Sequence, residues 1–252
     1  MQIGLKLWTI NTDFYYEEAK KLYNQDYFDY IELYVVPNTT DTIAQWKKLN
    51  IPFILHAPHF VHEVNLADKE KLEYNKKIYE QVEVFRQELN AKHTIIHAGM
   101  NGTIEETIRQ LQLISPKNFL IENKPAHPPH FKTRICRGHS IEEITKIITA
   151  TQCKFCLDIG HAICTANYYE YAPYEFLEKF NTLDPIMYHI SDGNIMSPHD
   201  QHLNINSGDY DLKKIFSIIN TNGAISIETN KCYKETLDDF KEDVIKIRMI
   251  SE

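Results

Sequence analysis

No apolar run in the sequence approaches the roughly 20 residues a helix needs to cross a bilayer, which excludes a transmembrane helix. The opening Met1-Gln2-Ile3-Gly4-Leu5-Lys6-Leu7-Trp8 lacks the apolar core and cleavage site of a secretory leader and predicts a strand instead. Excess positive charge is missing: 27 Lys and Arg stand against 35 Asp and Glu, for a net charge of −8. A general nucleic-acid binder normally shows the opposite balance, because phosphate contacts need Lys and Arg. Bound cations would weaken that argument, since three divalent ions add about six positive charges at one site. A disulfide framework is missing too. The five cysteines are odd in number and irregularly spaced. The one Cys-x-x-Cys, formed by Cys153 and Cys156, has no second copy to complete a zinc knuckle. Both residues sit in or beside an apolar run and read as small core side chains. Reduced thiols fit a cytoplasmic protein. With 252 residues, 43% hydrophobic content and no low-complexity stretch or linker, the chain is expected to be one globular domain over 1–252.

What the sequence does contain is a series of short strand-like runs that end on His, Asp or Glu. They are Phe53-Ile54-Leu55-His56, Thr94-Ile95-Ile96-His97, Phe119-Leu120-Ile121-Glu122, Phe155-Cys156-Leu157-Asp158, Met187-Tyr188-His189 and Ile225-Ser226-Ile227-Glu228. Each is too short for a helix and rich in strand-favouring residues. With strands over 3–8 and 30–34, and with the seventh extended to Ile190, they make eight strand–helix units. Helices are predicted near 14–23, 41–49, 69–89, from 103, from 140, and near 174–180, 212–219 and 235–250. The segment after His161 is expected to run irregularly until the helix near 174. Thr103 with Glu106, and Ser140 with Glu143, resemble capping boxes that open the fourth and fifth helices. Strand–helix alternation requires parallel strands. The expected fold class is α/β, a single (β/α)8 barrel with its site at the C-terminal mouth of the strands. Two long connections, 124–139 and 191–211, leave from that mouth, where long ordered loops are usually functional.

Convergent strand ends would place metal-binding side chains around one point. Imidazole and carboxylate are the usual nitrogen and oxygen ligands of zinc and manganese. Three more candidates lie just past strand ends: His161, three residues after Asp158, and the pair Asp200 and His202. The candidate ligands are therefore His56, His97, Glu122, Asp158, His161, His189, Asp200, His202 and Glu228. An isolated His near a strand end is usually structural, but recurrence at matching positions beside carboxylates favours ligation. His59 and His62 are expected in the mouth loops, with His93 structural at the opposite end. His127, His130, His139 and His199 are expected as solvated loop residues, and Asp192 as a loop-shaping or ligand-supporting acid. The acid-free stretch 124–139 holds Lys124, Lys132, Arg134 and Arg137, either a solvated basic loop or a clamp for a phosphate or other anion. Tyr168, Tyr169, Tyr171 and Tyr174 either pack on the sixth helix or stack on a sugar or base.

From His56 to Glu228 the chain resembles the endonuclease IV group, the family 2 apurinic/apyrimidinic endonucleases, within the xylose-isomerase-like barrel superfamily. The motifs that carry the resemblance are Leu55-His56-Ala57-Pro58, His97-Ala98-Gly99, Ile121-Glu122-Asn123, Leu157-Asp158-Ile159-Gly160-His161-Ala162, His189-Ile190-Ser191-Asp192, Asp200-Gln201-His202 and Ile227-Glu228-Thr229. The resemblance implies up to three zinc ions, with manganese as an alternative. It implies one ion on His56 and His97 and a second on Asp158, His189 and Glu228. Glu122 would bridge these two, and His161, Asp200 and His202 would hold a third. Clustered ions acidify water and neutralise phosphate oxygens, which suits phosphodiester hydrolysis, with abasic DNA as one such substrate. Glu122 or Glu228 would orient or deprotonate the water.

The N-terminal third departs from that group. The segment Trp8-Thr9-Ile10-Asn11-Thr12 is not a Gly-rich loop, Tyr34-Val35-Val36-Pro37-Asn38 lacks residues that insert into DNA, and the aromatic beyond His56 is displaced to Phe60, after His59. Tyr30-Ile31-Glu32-Leu33 is instead similar to the sugar isomerase and epimerase branch, which makes Glu32 either a substrate contact or a structural acid. Substrate contacts are accordingly expected from Glu32, His59, Lys124, Arg134 and Arg137. The second function implied is a one-ion isomerase or epimerase in which Glu122 and Glu228 move a proton beside a carbonyl. A barrel that binds without turnover finds no support, because no expected ligand is replaced.

Overall fold

The computed structural model describes residues 1–128, 133–220 and 222–251. Eight parallel strands close into a barrel in sequence order: β1 (Gln2–Trp8), β2 (Tyr30–Tyr34), β3 (Phe53–His56), β4 (Thr94–His97), β5 (Phe119–Glu122), β6 (Lys154–Asp158), β7 (Met187–Ile190) and β8 (Ala224–Ile227). The (β/α)8 barrel expected from the sequence is therefore the fold. The helices between strands are α1 (Tyr16–Asn24), α2 (Ile43–Lys47), α3 (Leu72–Glu88), α4 (Ile104–Ile114), α5 (Ile141–Thr151), α6 (Ile159–Tyr168), α7 (Pro173–Asn181) and α8 (Leu212–Ile218), and α9 (Asp238–Ser251) follows the last strand.

Strand alternation sorts the barrel into shells. Outward residues such as Leu5, Leu33, Leu55, Ile96, Ile121, Leu157 and Ile227 join the large core beneath the helices. Inward residues form a separate interior, and there the sequence changes character along the barrel axis. The lower layer is a compact plug of Tyr30, Ile54, Ile95, Leu120, Cys156 and Met187. Two residues further along the same strands come Glu32, His56, His97, Glu122, Asp158 and His189, all buried. Gly4 makes room for the plug, because a Cβ there would meet the Tyr30 ring at 2.4 Å. The Tyr30 hydroxyl then reaches Ser226 Oγ across the barrel at 3.0 Å.

The predicted caps form. Thr103 Oγ1 accepts from Glu106 N and Ser140 Oγ from Glu143 N, each at 3.2 Å. The reciprocal half of each box does not, because the Glu106 side chain binds Arg109 and that of Glu143 binds the Gly138 amide. Two expectations need correction. β8 ends at Ile227, so Glu228 stands one residue beyond it. The segment after His161, expected to run irregularly, continues to Tyr168 as α6, which starts at Ile159. Asp158 Oδ1 caps it by accepting from His161 N at 2.7 Å. Every residue from Ile159 to Ala166 is buried, so the helix has no polar face and no period for the sequence to display.

Four of the five cysteines are buried and all five are free thiols. Cys156 belongs to the barrel plug, in line with a core role. No helix among the described residues is long and apolar enough to cross a membrane. Phe85 of α3 is fully buried between helix layer and barrel. Phe85→Ala is expected to lower the unfolding free energy by about 3–5 kcal/mol in urea denaturation. A loss below about 1 kcal/mol would show that this layer is not tightly packed.

Candidate metal centre

The strand-end residues meet at the C-terminal mouth and sort into groups. His56 Nε2 and His97 Nε2 both point at Glu122 Oε2, each 3.0 Å away. His56 is fixed by its other nitrogen, which lies 3.0 Å from the Ala57 carbonyl. Asp200 Oδ2 lies 2.7 Å from His202 Nε2 and 3.3 Å from His161 Nε2. His202 is oriented by Nδ1 against the Glu228 carbonyl at 2.7 Å, with its backbone in the left-handed region at φ 48°. The third group surrounds His189. Its Nδ1 lies 2.9 Å from Glu228 Oε1 and 3.7 Å from both Glu122 Oε2 and Asp158 Oδ2. Glu122 thus belongs to two groups, and Asp158 and Glu122 both reach His161 Nδ1, at 3.3 and 3.2 Å.

One atom tests whether a cation fits. His189 Nδ1 is buried and faces three carboxylates, with Glu228 Oε1 at 2.9 Å but not aligned for a hydrogen bond. Burial opposes charge on this ring, but Cys156, Glu228, Glu32 and Glu122 raise it well above the ordinary imidazole value, so the cluster calls for positive charge at this edge, from a proton or from a metal ion in its place. A divalent ion supplies that charge, and one nitrogen with three carboxylates is a donor set of the zinc and manganese type. The opposite nitrogen, Nε2, lies 3.0 Å from Glu32 Oε2, the arrangement by which a buried carboxylate orients a ligating imidazole.

Electrostatics separates the histidines. Burial pushes His97 and His59 well below the ordinary imidazole value, which keeps them neutral and able to donate a lone pair. Burial opposes charge at His161 and His202 as well. There the carboxylates win: Asp158 raises His161 to about 10 and Asp200 raises His202 to about 9. Glu32 is fully buried, which disfavours its charge, but His189 and Lys6 hold the carboxyl down at about 2.

A cavity of about 460 Å³ opens over the groups. His56, His97, Glu122, His161, Asp200, His202 and Glu228 line it, together with His59, Lys124, Trp8, Tyr34 and Phe60. His59 stacks on His97 with ring centroids 4.6 Å apart. Lys124 Nζ lies 3.4 Å from Glu122 Oε1 and 3.1 Å from His161 Nε2. Other expected contacts lie elsewhere. Glu32 sits under the mouth against His189 rather than on the cavity wall. Arg137 is a strap, bound to Glu143 at 2.9 Å and to the carbonyls of Asn101 and Gly102. Arg134 is exposed on its loop and does not line the cavity. Lys132 and His130 lie outside the described residues. His127 and His139 are half-buried rather than solvated, because their rings pack on Tyr168 and Tyr169 at 4.2 and 5.9 Å. His93 binds the Asn118 carbonyl at the opposite end, and His199 is exposed.

Three residues carry weight that sequence reasoning missed. Lys6 rises from β1 into the mouth and touches Glu32 and Glu228; its signal was a lone cation inside Ile3-Gly4-Leu5-Lys6-Leu7. Lys231 lines the cavity three residues past Glu228, where burial lowers its ammonium to about 8; nothing in the sequence marks it. Asp243 of α9 is fully buried and ties the two polar loops together. It accepts from Ile205 N at 2.8 Å, Asn204 Nδ2 at 2.8 Å and Thr229 Oγ1 at 2.7 Å. Asp192 shapes the long loop after β7 by accepting from the amides of Gly193, Gly208 and Tyr210.

A family model described as a xylose isomerase-like TIM barrel matches residues 22–246. No curated protein matches. A solved D-tagatose 3-epimerase-like protein is 19% identical with a TM-score of 0.74, covering 99% of this chain and 97% of that one. Endonuclease IV from Thermus thermophilus is 17% identical with a TM-score of 0.68, covering 99% and 98%. A family 2 AP endonuclease from Brucella melitensis is 15% identical with a TM-score of 0.66, covering 93% and 95%. At these identities the likeness establishes a shared fold.

Asp243→Ala leaves an amide, an amide side chain and a hydroxyl without their acceptor. It is expected to speed hydrogen exchange of residues 200–206 at least about tenfold while the strands keep their protection. Unchanged exchange in that loop would show that Asp243 does not anchor it.

Proposed function

The chain belongs to the xylose isomerase-like TIM-barrel family, and within it we propose a metal-dependent phosphoesterase of the endonuclease IV type, holding up to three zinc ions. The carrying observation is four overlapping donor clusters at one mouth: His56, His97 and Glu122; His161, Asp200 and His202; Glu32, His189 and Glu228; and Glu122, Asp158 and His161. His56, His97 and Glu122 would hold one ion, Glu122, Asp158, His189 and Glu228 a second, and His161, Asp200 and His202 the third. When bound, such ions supply Lewis-acid charge and acidify water. The chain's own groups then divide the remaining tasks. Lys124 and Lys231 turn positive charge toward an anionic substrate. Glu122 and Glu228 take up and return the proton of the attacking water. His59, stacked on His97, walls the first group from solvent. Abasic DNA is one candidate substrate, on the strength of the two solved endonucleases. The loop at 35–39 carries no basic residue to grip a duplex, which favours a more compact phosphoester.

A second reading has one arrangement in its favour. Glu122, Asp158 and Glu228 all face the Nδ1 edge of His189, at 3.7, 3.7 and 2.9 Å. A single divalent ion there, with Glu122 and Glu228 moving a proton beside a carbonyl, would suit a sugar isomerase or epimerase, the class named for the epimerase-like relative.

Metal content separates the two. Elemental analysis of zinc-loaded protein is expected to find about three ions per chain, whereas one ion, manganese or magnesium, would favour the isomerase. Hydrolysis of a phosphodiester, tested on a generic diester and on an abasic duplex, is expected to fall about 10²–10⁴-fold in His97→Ala and Glu228→Gln. Hydrolysis that persists in both variants would contradict the phosphoesterase.

A further inference from the structure

The inward layer that carries the candidate ligands also carries one strand-borne cation. Lys6 of β1 pairs in register with Glu32 of β2, and β8 on its other side leads to Glu228. Its side chain is 12% exposed, and Nζ lies 2.8 Å from Glu32 Oε1 and in contact with Glu228 Oε1. The same two carboxylates hold His189 from both edges, Glu32 at Nε2 and Glu228 at Nδ1. Lys6, Glu32, His189 and Glu228 therefore form a closed ring of alternating charge. Glu228 Oε1 is shared between Lys6 and the imidazole edge that faces Glu122 and Asp158.

We propose that Lys6 is a resident cation competing for the second donor group, so that the ion held by Glu122, Asp158, His189 and Glu228 is the last to bind and the first to be lost. The proposal rests on the metal-binding reading above. If Lys6 keeps its place, an incoming divalent ion meets a like charge across one carboxylate, and beside buried groups that repulsion exceeds its value in water. If Lys6 swings away, two ion pairs of a buried carboxylate ring are broken. Both routes weaken the same position. His56, His97, His161, Asp200 and His202 make no contact with Lys6 among the described residues, so the other two groups are spared. Lys124 touches Glu122 Oε1 at 3.4 Å and His161 Nε2 at 3.1 Å, but from a loop and with one carboxylate contact against the two that hold Lys6 on its strand.

The test compares wild type with Lys6→Met, which preserves length and removes charge. Both proteins are loaded with zinc, exposed to a graded series of chelator concentrations and analysed for bound zinc. Wild type is expected to release one ion well before the others. In K6M that ion should withstand at least about tenfold more chelator, a difference of about 1.4 kcal/mol. A merely structural lysine would give the opposite sign, because its loss loosens the site. Release at the same or lower chelator concentration in K6M, or no early-lost ion in wild type, overturns the proposal. Failure of both proteins to retain any zinc overturns the metal-binding reading itself. Should K6M not fold, the double variant K6M/E32Q removes one charge of each sign and is expected to show the same gain.

Discussion

Side-chain alternation on parallel strands is the constraint from which the rest of the molecule follows. Each inward position of the barrel is either in the lower layer or two residues later in the upper one. The lower layer is filled with Tyr30, Ile54, Ile95, Leu120, Cys156 and Met187, which makes a dry floor. The upper layer then has no choice but to gather whatever the strands end with. Here that is Lys6, Glu32, His56, His97, Glu122, Asp158 and His189, residues separated by more than 180 positions in the chain yet in mutual contact at the mouth. A one-residue slip in any strand would turn its ligand outward into the helix layer, so register and site are specified together.

Collecting so many ionisable groups over an apolar floor sets an electrostatic problem. Glu32, Glu122, Asp158 and Glu228 are brought within reach of one imidazole. Buried carboxylates are tolerated only when they are compensated. Part of the compensation is built into the chain, in Lys6, Lys124 and the raised imidazoles of His161 and His202. The largest remaining call for positive charge is at the Nδ1 edge of His189, which three carboxylates face and which either a proton or a metal ion can answer. That residual demand for positive charge is the physical root of the metal reading.

Much of this was legible in the sequence because the signal is periodic. The run Thr94-Ile95-Ile96-His97 shows both the strand and its polar end, and the same holds for the β5 and β6 runs. The pairing of His161, Asp200 and His202 came from a resemblance rather than from spacing, since a loop fixes no geometry in sequence. Three things were hidden for physical reasons. α6 is buried on all sides, so no amphipathic period exists to betray it. The sequence leaves Glu32 open between a substrate contact and a structural acid, because its partner His189 lies 157 positions away and meets it only once the barrel closes. Charge alone leaves Arg137 open between a solvated loop residue and an anion clamp, whereas the carbonyls of Asn101 and Gly102 make it a strap. Charge marks where a side chain can act, and only the fold decides what it meets.

The central claim is that the strand ends hold several divalent ions in adjoining positions. Diffraction from a zinc-grown crystal, with anomalous differences measured on both sides of the zinc edge, addresses it most directly. The account predicts separate peaks beside the His56–His97–Glu122, His189–Asp158–Glu228 and His161–Asp200–His202 groups. A single peak at the His189 group would favour the one-ion enzyme, and a mouth without any zinc signal would contradict the account.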